Sequence, residues 1–358
     1  QPSHNSRTVM NRPSDNIFID PSYPVFNQDK LFDLGDPMLN RDDQLLPFHR
    51  LREHLHALGK SVHTADYLLS GDADPGATSA CSYYSLGILD NYQRIAREGR
   101  ARLKAFVIME PPVVAPHLYQ ALPALTNAFE RVYVHNIDGD CYSLAGVQQD
   151  KLRRLYWPLP HAEVLEPYWS QRDRMQRIVV INGSHKPRSF HKELYSKRID
   201  AMAALAPTGA VDLFGRGWER WWSGEARWMP YWRNRRTLMS IYRGACASKF
   251  EVLQRYAFCL CFENIAMNGY ITEKLFDCLY AGTIPLYLGA PDILRYVPQD
   301  VFIDCRQYAS WDEMWNEVRL IPMARIEAMR EAGRQFLGSE AAQPFFNSLL
   351  HLGWEADE

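Results

Sequence analysis

The stretch that decides the fold runs from Tyr256 to Pro291 and reads YAFCLCFENIAMNGYITEKLFDCLYAGTIPLYLGAP. Its opening apolar run, 257–262, is typical of a strand buried on both faces of a parallel sheet. A polar loop follows, then helical spacing of apolar residues over 272–281, and Gly282 supplies a common C-terminal stop. The apolar run 284–288 predicts a second strand. Strand, loop, helix and strand in this order form the βαβ unit of an α/β protein.

Polar side chains gather in this unit where the first strand ends and the helix begins. Glu263 and Asn264 end the strand, and Tyr270, Glu273 and Lys274 lead into the helix. The free N–H groups and the dipole of a helix N-terminus favour a bound anion. A lysine in the first turn opposes the helix dipole, so Lys274 is better explained by a phosphate partner. The alternative is an ordinary solvated surface lysine.

Strands and helices alternate through the rest of the chain. Apolar runs predict further strands at 17–19, 61–66, 83–88, 103–109, 129–134, 177–181, 211–214 and 301–304, and helical spacing predicts helices at 45–58 and 192–205 and one through Ile95. The proline-containing stretch 157–173 interrupts this alternation as a linker would. We therefore predict an α/β protein with two Rossmann-like domains facing a cleft. The domains are an N-terminal one at 1–165 and a C-terminal one at 166–340, followed by a helix or tail at 341–358.

The gapped motif in the deciding stretch resembles a known enzyme family. FEN at 262–264, YITEK at 270–274 and AGTIPLYLGAP at 281–291 are similar in sequence and spacing to the α-1,3/4-fucosyltransferases of glycosyltransferase family 10. The resemblance is strong over 176–305 and weaker over 100–160. It implies a GT-B type enzyme, here of the bacterial type, whose C-terminal domain binds a GDP-sugar and whose N-terminal domain takes the acceptor.

The resemblance also implies which residues bind the donor. By position in the motif they are Asn264, Tyr270, Glu273 and Lys274, with Glu263 as a further candidate.

An arginine on the first helix of the C-terminal domain binds the diphosphate in this family. Arg198, which begins the segment RIDAMAAL, is our candidate for that role, although Met202 stands where the family has an aromatic residue. Arg188, at the end of the loop SHKPR, is the rival candidate. An exposed helix position is the alternative for Arg198.

The resemblance places the general base at Glu110. This glutamate follows the buried strand 103–109 and precedes the segment PPVVAP. Apolar surroundings raise a carboxyl pKa, which helps the group accept a proton near neutral pH. Pro111 replaces the usual small polar residue and removes one backbone N–H. A strand-end glutamate in a surface turn is the alternative.

We expect neither a metal nor a cofactor. Asp138 and Asp140 have the spacing of a DxD metal motif, but Gly139 between them is ordinary turn chemistry. Lys274 and Arg198 would neutralise a diphosphate instead. The seven cysteines show no CxxC spacing, which favours buried free thiols in a reducing compartment.

Composition and charge limit the classes of partner that we expect this protein to bind. The net charge of −2 gives no reason to expect nucleic acid. No apolar run reaches the roughly 18 residues of a membrane span, and we expect a cytoplasmic protein. The segment 215–236, GRGWERWWSGEARWMPYWRNRR, holds five tryptophans and six arginines. It would stack on a sugar, wrap the nucleotide, touch anionic lipid at the inner membrane face or fill a tertiary gap.

The resemblance implies an inverting fucosyltransferase. L-Fucose would move from GDP-β-L-fucose to a hydroxyl of an oligosaccharide or glycoconjugate acceptor, in an α-1,3 or α-1,4 linkage. A transferase using another GDP-sugar, a non-catalytic nucleotide-sugar-binding protein of the same fold, and a structural protein with a cleft for protein ligands are the alternatives. Glu110 and Lys274 together favour an enzyme, because a binding protein has no need of both.

Overall fold

The computed structural model describes residues 16–70 and 81–354. A first sheet is built from β1 (Asn16–Asp20), β2 (Ser61–Thr64), β3 (Cys81–Ser85), β4 (Arg102–Val107), β5 (Arg131–Val134) and β6 (Leu152–Arg154). Its strands are all parallel and lie in the order β2-β1-β3-β4-β5-β6. Between them in sequence lie α1 (Leu46–Ala57), α2 (Asp66–Leu69), α3 (Tyr92–Arg97), α4 (Pro116–Gln120) and α5 (Leu122–Ala128). The strand order reverses between β1 and β3, and ligands bind at such switch points.

A second parallel sheet follows. It contains β7 (Met175–Ile181), β8 (Val211–Phe214), β9 (Tyr256–Phe262), β10 (Ile284–Leu288) and β11 (Ile303–Asp304), in the order β11-β10-β9-β7-β8. The accompanying helices are α6 (Glu166–Trp169), α7 (Tyr195–Leu205), α8 (Met229–Ile241), α9 (Lys249–Leu253), α10 (Glu273–Ala281) and α11 (Trp311–Val318). Here the order reverses between β7 and β9, which creates a second switch point.

The C-terminal helices return the chain to the first sheet. After α12 (Met323–Leu337) and α13 (Gln343–Phe346), Leu349 and Leu352 are buried in the core that contains β1. The ring of Trp354 lies 4.0 Å from that of Tyr84 in β3. The segment predicted as a tail thus packs on the first sheet as far as Trp354, and residues 355–358 lie outside the described range. The domain limits remain a prediction, with the two sheets on either side of the predicted linker.

The structure confirms the predicted α/β class and the βαβ unit of the deciding stretch. All seven residues of β9 are buried, as expected for a central parallel strand. The helix α10 ends at Gly282, whose φ of +72° is the left-handed conformation common after a helix. The helix predicted from residue 192 begins only at Tyr195, because Glu193 forms a bridge with Ile265 instead.

Other elements also differ from the predictions. The strand predicted at 301–304 keeps two residues, since 299–301 form a 3-10 turn. The short polar strand β6 and the helix α8 were not predicted. In the described part of the chain, none of the helices combines the length and apolar character that a membrane span requires.

Candidate active site

Three connected cavities lie beyond the carboxyl ends of the strands. The central cavity, about 320 Å³, sits at the switch point between β7 and β9 and continues into an outer cavity of about 480 Å³ along residues 215–225. The N-terminal cleft, about 740 Å³, sits at the switch point of the first sheet and is lined by Tyr23 and Glu110 among others. The side chains shared by the central cavity and the N-terminal cleft are Ile181, Lys249, Glu273 and Asp277. The two cavities therefore meet beside α10.

The first turn of α10 is fixed by a buried carboxylate. The oxygens of Glu263, which is 0% exposed, accept hydrogen bonds from the backbone N–H and the hydroxyl of Thr272, both at 2.8 Å. Thr272 is the N-cap of α10. Burial raises the pKa of Glu263, and Lys274 and Thr272 oppose this rise. Glu263 does not itself line the cavities. It contacts the site indirectly, through its hydrogen bonds to Thr272 and its ion pair with Lys274.

Glu273 and Lys274 both line the central cavity, as does Asn264. The Lys274 ammonium lies 3.2 Å from the Thr272 hydroxyl and 3.5 Å from a Glu273 oxygen. Burial would lower the pKa of Lys274, but Glu273 and Glu263 raise it, so the lysine is a cation. The other Glu273 oxygen is buried without a hydrogen-bond partner among the described residues. The lining of the central cavity therefore includes a cation and a carboxylate with one unsatisfied oxygen.

Arg198 also lines the central cavity. It is 3% exposed, which excludes the exposed helix position considered above. Its guanidinium donates to the carbonyl of Phe262 at 2.7 Å, and its Nε has no partner among the described residues. Burial lowers the pKa of Arg198, yet an arginine stays protonated in proteins. The cavity therefore has a second fixed cation with unused hydrogen-bonding capacity.

The remaining predicted donor residues lie elsewhere. Tyr270 is 1% exposed and packs with Val113, Tyr195 and Met267, so its side chain is not among those lining the three cavities. Arg188 is exposed and lines the N-terminal cleft rather than the central cavity. Its backbone N–H donates to the carbonyl of Val113 at 2.7 Å. The structure separates Arg188 from Arg198 and places it on the side of Glu110.

Glu110 lines the N-terminal cleft just beyond β4. It is half-buried, and burial, followed by the nearby Glu273, raises its pKa, while Lys274 opposes the rise. Its backbone carbonyl accepts a hydrogen bond from the Tyr119 hydroxyl at 2.9 Å. A carboxylate with a raised pKa that faces a cleft is suited to take a proton from a hydroxyl.

The structure gives Asp140, the second aspartate of the DxD pattern, a role in holding the chain. One Asp140 oxygen pairs with the Lys192 ammonium at 3.1 Å, and the other accepts from the backbone N–H of Asn268 at 2.7 Å. Gly139 has a φ of +82°, as in a turn. In the part of the chain that the structure describes, no group of three or more His, Cys, Asp or Glu residues is arranged to hold a metal ion.

Two residues of the site were missed by sequence reasoning. Lys249, at the start of α9, and Asp277, one turn after Glu273 on α10, form an ion pair of 2.6 Å where the central cavity meets the N-terminal cleft. Burial raises the pKa of Asp277 to about 6, although Lys249 opposes the rise. An aspartate on the apolar face of a helix was the available signal, because a buried carboxylate needs a partner.

A glycine brings the loops after β7 and β8 together. Gly215 has a φ of +147°, and a Cβ there would lie 1.8 Å from the carbonyl oxygen of Asn182. Both loops line the outer cavity. Only glycine permits this close approach.

Two Rossmann-like sheets whose strand ends face a shared cleft define a glycosyltransferase fold of the GT-B type. Residues 188–324 match the family model described as glycosyltransferase family 10 (fucosyltransferase), C-terminal part. This part of the chain, which contains the deciding stretch, carries the C-terminal domain of that family, as the motif predicted.

Two relatives and one solved structure are also similar to this chain. An α-(1,3)-fucosyltransferase of Helicobacter pylori is 34% identical over 74 residues, which cover 21% of this chain and 16% of that protein. An α-(1,4)-fucosyltransferase of Arabidopsis thaliana is 39% identical over 62 residues, covering 17% and 16%. The matches thus span about a sixth of each relative's length. The crystal structure of an α1,3-fucosyltransferase superposes with a TM-score of 0.52 at 14% identity, covering 97% of this chain and 93% of that one, which confirms the fold.

Proposed function

We propose that this chain transfers L-fucose from GDP-β-L-fucose to a hydroxyl of a glycan acceptor. One observation carries the proposal: Lys274 and Arg198 line the central cavity, Glu110 lines the N-terminal cleft, and these two spaces meet at Glu273. A cation for the leaving group and a base for the acceptor therefore flank a single point of transfer. The family membership of residues 188–324 supports the choice of sugar nucleotide.

The donor diphosphate would occupy the central cavity. Lys274, Arg198 and the N-terminus of α10 would offset the charge that develops on the leaving GDP. Losing one such group typically costs about 10²–10³ in rate. The nucleoside would extend into the outer cavity, where the carboxylate of Glu225 is available to the N–H groups of guanine.

The acceptor would enter the N-terminal cleft, with its hydroxyl beside Glu110. Glu110 takes the hydroxyl proton as the oxygen attacks the anomeric carbon of fucose, the bond to the diphosphate breaks, and GDP leaves with the electron pair. A base on the face opposite the leaving group produces inversion in a single displacement, as in inverting glycosidases. The product is an α-fucoside, with an α-1,3 or α-1,4 linkage implied by the resemblance. No step requires a metal ion.

Release of GDP from GDP-fucose tests the proposal. The assay would contain EDTA and lactose or N-acetyllactosamine, and would compare the wild type with Glu110→Gln and with Glu53→Gln, an exposed control on α1. We expect acceptor-dependent release that persists in EDTA, survives in the control and falls by about 10²–10⁴ in Glu110→Gln. Release that EDTA abolishes would refute the metal-independent mechanism.

Binding measurements separate the alternatives. A protein that binds GDP-mannose more tightly than GDP-fucose would be a transferase for a different GDP-sugar. Tight binding of GDP-fucose without turnover on any glycan would instead indicate a non-catalytic nucleotide-sugar-binding protein.

We further propose that the segment 215–236 contacts an anionic membrane surface. Trp221, Trp222 and Trp232 are 58%, 63% and 55% exposed, and five of the six arginines of the segment are exposed too. Exposed tryptophan beside arginine is the composition of proteins that lie at lipid headgroups. Vesicles containing phosphatidylglycerol should sediment the wild type and a Leu320→Ser control but not a Trp221→Ser/Trp222→Ser variant. Equal sedimentation of all three would refute this contact.

A further inference from the structure

The loop between the FEN and YITEK motifs, residues 265–269, is held by the other domain. The Asn136 side-chain amide donates to the carbonyl of Asn268 at 3.1 Å, and the Asp140 carboxylate accepts from the N–H of the same residue at 2.7 Å. Arg154, the last residue of β6, donates to the carbonyl of Gly269 at 2.9 Å. Residues after β5 and at the end of β6 thus form hydrogen bonds to a loop that leads into the donor-binding helix. We call Asn136, Asp140 and Arg154 the clamp.

The clamp leaves no space for a side chain at position 269, which is occupied by glycine. This glycine has a φ of +73°, and a Cβ on it would lie 2.2 Å from Arg154 Nη1 and 2.3 Å from the carbonyl oxygen of His135. The Arg154 guanidinium is itself packed against the rings of Tyr156 and Tyr296, at 4.7 and 4.8 Å from their centroids. The contact at this point is therefore closely packed.

His135 connects the clamp region to the backbone beside Glu110. Its Nε2 lies 2.7 Å from the carbonyl oxygen of Met109, the residue before Glu110. Its ring meets the ring of Tyr270 edge to face, with centroids 4.9 Å apart, and His135 is 1% exposed. Burial lowers the pKa of His135 to about 3, so the imidazole is neutral. Because its partner is a carbonyl, Nε2 carries the proton.

We propose that His135 is a positioning residue that sets the distance between Glu110 and the donor-binding helix. Its N–H holds the backbone that carries the base, and its ring rests on Tyr270, three residues before Glu273. Placement of a catalytic group within about 1 Å is worth roughly 100-fold in rate. The proposal rests on the proposed function, since it concerns the geometry of the same transfer. It also gives Tyr270 a role as a contact for His135.

Two substitutions separate the hydrogen bond from the ring packing. His135→Phe keeps a ring against Tyr270 and removes the N–H, while His135→Gln keeps an N–H donor at a similar reach and removes the ring. Arg50→Gln is the control for a general loss of stability, because Arg50 donates to the carbonyls of Leu159 and Phe346, outside the contacts that His135 makes. For each variant we would measure kcat with both substrates saturating, the Kd for GDP-fucose and the thermal midpoint.

We expect His135→Phe to lower kcat about 10- to 100-fold, with the Kd for GDP-fucose within about twofold of the wild type. His135→Gln should recover most of the lost kcat, and Arg50→Gln should lower the thermal midpoint without a matching loss of kcat. An unchanged kcat in His135→Phe, or a Gln variant no faster than the Phe variant, would overturn the inference alone. A wild type that releases no GDP with any acceptor would overturn the proposed function and this inference together.

Discussion

Replacing Thr272 by valine removes one hydroxyl from the centre of the site with little change in shape. That hydroxyl donates to the fully buried Glu263 at 2.8 Å and lies 3.2 Å from the Lys274 ammonium. A hydrogen bond to a charged group contributes about 1.5–3 kcal/mol, and an N-cap contributes about 1 kcal/mol. Because both losses fall on the same hydroxyl, we expect Thr272→Val to lower the free energy of unfolding by about 2–4 kcal/mol.

The loss should depend on pH in a defined direction. Burial already raises the pKa of Glu263, and valine removes one of the groups that oppose this rise. An acid whose pKa is raised on folding destabilises the fold as the pH increases through that pKa. Below the ordinary carboxyl pKa of 4.5 the group is protonated in both states and this part of the loss disappears. The difference between wild type and Thr272→Val should therefore be larger at neutral pH than in acid.

Urea unfolding followed by tryptophan fluorescence, at neutral pH and near pH 4, measures both effects. Thr272→Ser keeps the hydroxyl and loses a methyl group, so it should cost about 1 kcal/mol and show little dependence on pH. The reasoning fails if the valine and serine variants unfold alike, or if the valine variant loses as much stability in acid as at neutral pH.

Four further predictions concern the cavities. Arg198→Lys should weaken GDP binding by about tenfold or more in calorimetry, because an ammonium cannot bond the Phe262 carbonyl and a phosphate in the same fixed fork. Gly215→Ala should lower the thermal midpoint and weaken GDP binding, since its Cβ would lie 1.8 Å from the Asn182 oxygen; equal midpoints would contradict this. Lys249→Met should cost about 3–5 kcal/mol at neutral pH by leaving Asp277 buried without its cation, and a second change, Asp277→Asn, should recover part of that loss in urea unfolding. The acid limb of kcat/KM should lie above pH 4.5 because the pKa of Glu110 is raised, and Glu273→Gln should move it to lower pH in a pH–rate profile.

Much of the fold could be predicted because buried parallel strands leave continuous apolar runs. The runs at 211–214 and 284–288 coincide with β8 and β10. β6 was missed because a three-residue edge strand reading LRR has no such run. The helix α8 was missed because three arginines interrupt its apolar pattern, and only Tyr231, Leu238 and Ile241 of it are buried.

The part of the site that could be predicted consists of residues close to one another in the sequence. Asn264, Glu273 and Lys274 line one cavity because a strand end and the next helix start are adjacent in a βαβ unit. Lys249 was not predicted, since its pairing with Asp277 depends on how α9 packs on α10. The bond between Asp140 and Asn268 joins positions 128 residues apart, which no local pattern reveals.

The residues of the gapped motif fall into two groups, those that line the central cavity and those that are buried away from it. Asn264, Glu273 and Lys274 face the central cavity, whereas Glu263 and Tyr270 are buried behind it. The loop between FEN and YITEK reaches the clamp and returns to α10 within a few residues. A side chain at position 269 would collide with Arg154, because its Cβ would lie 2.2 Å from Arg154 Nη1. We therefore propose that the motif specifies how the loop sits against Asn136 and Arg154 as well as the binding of the donor.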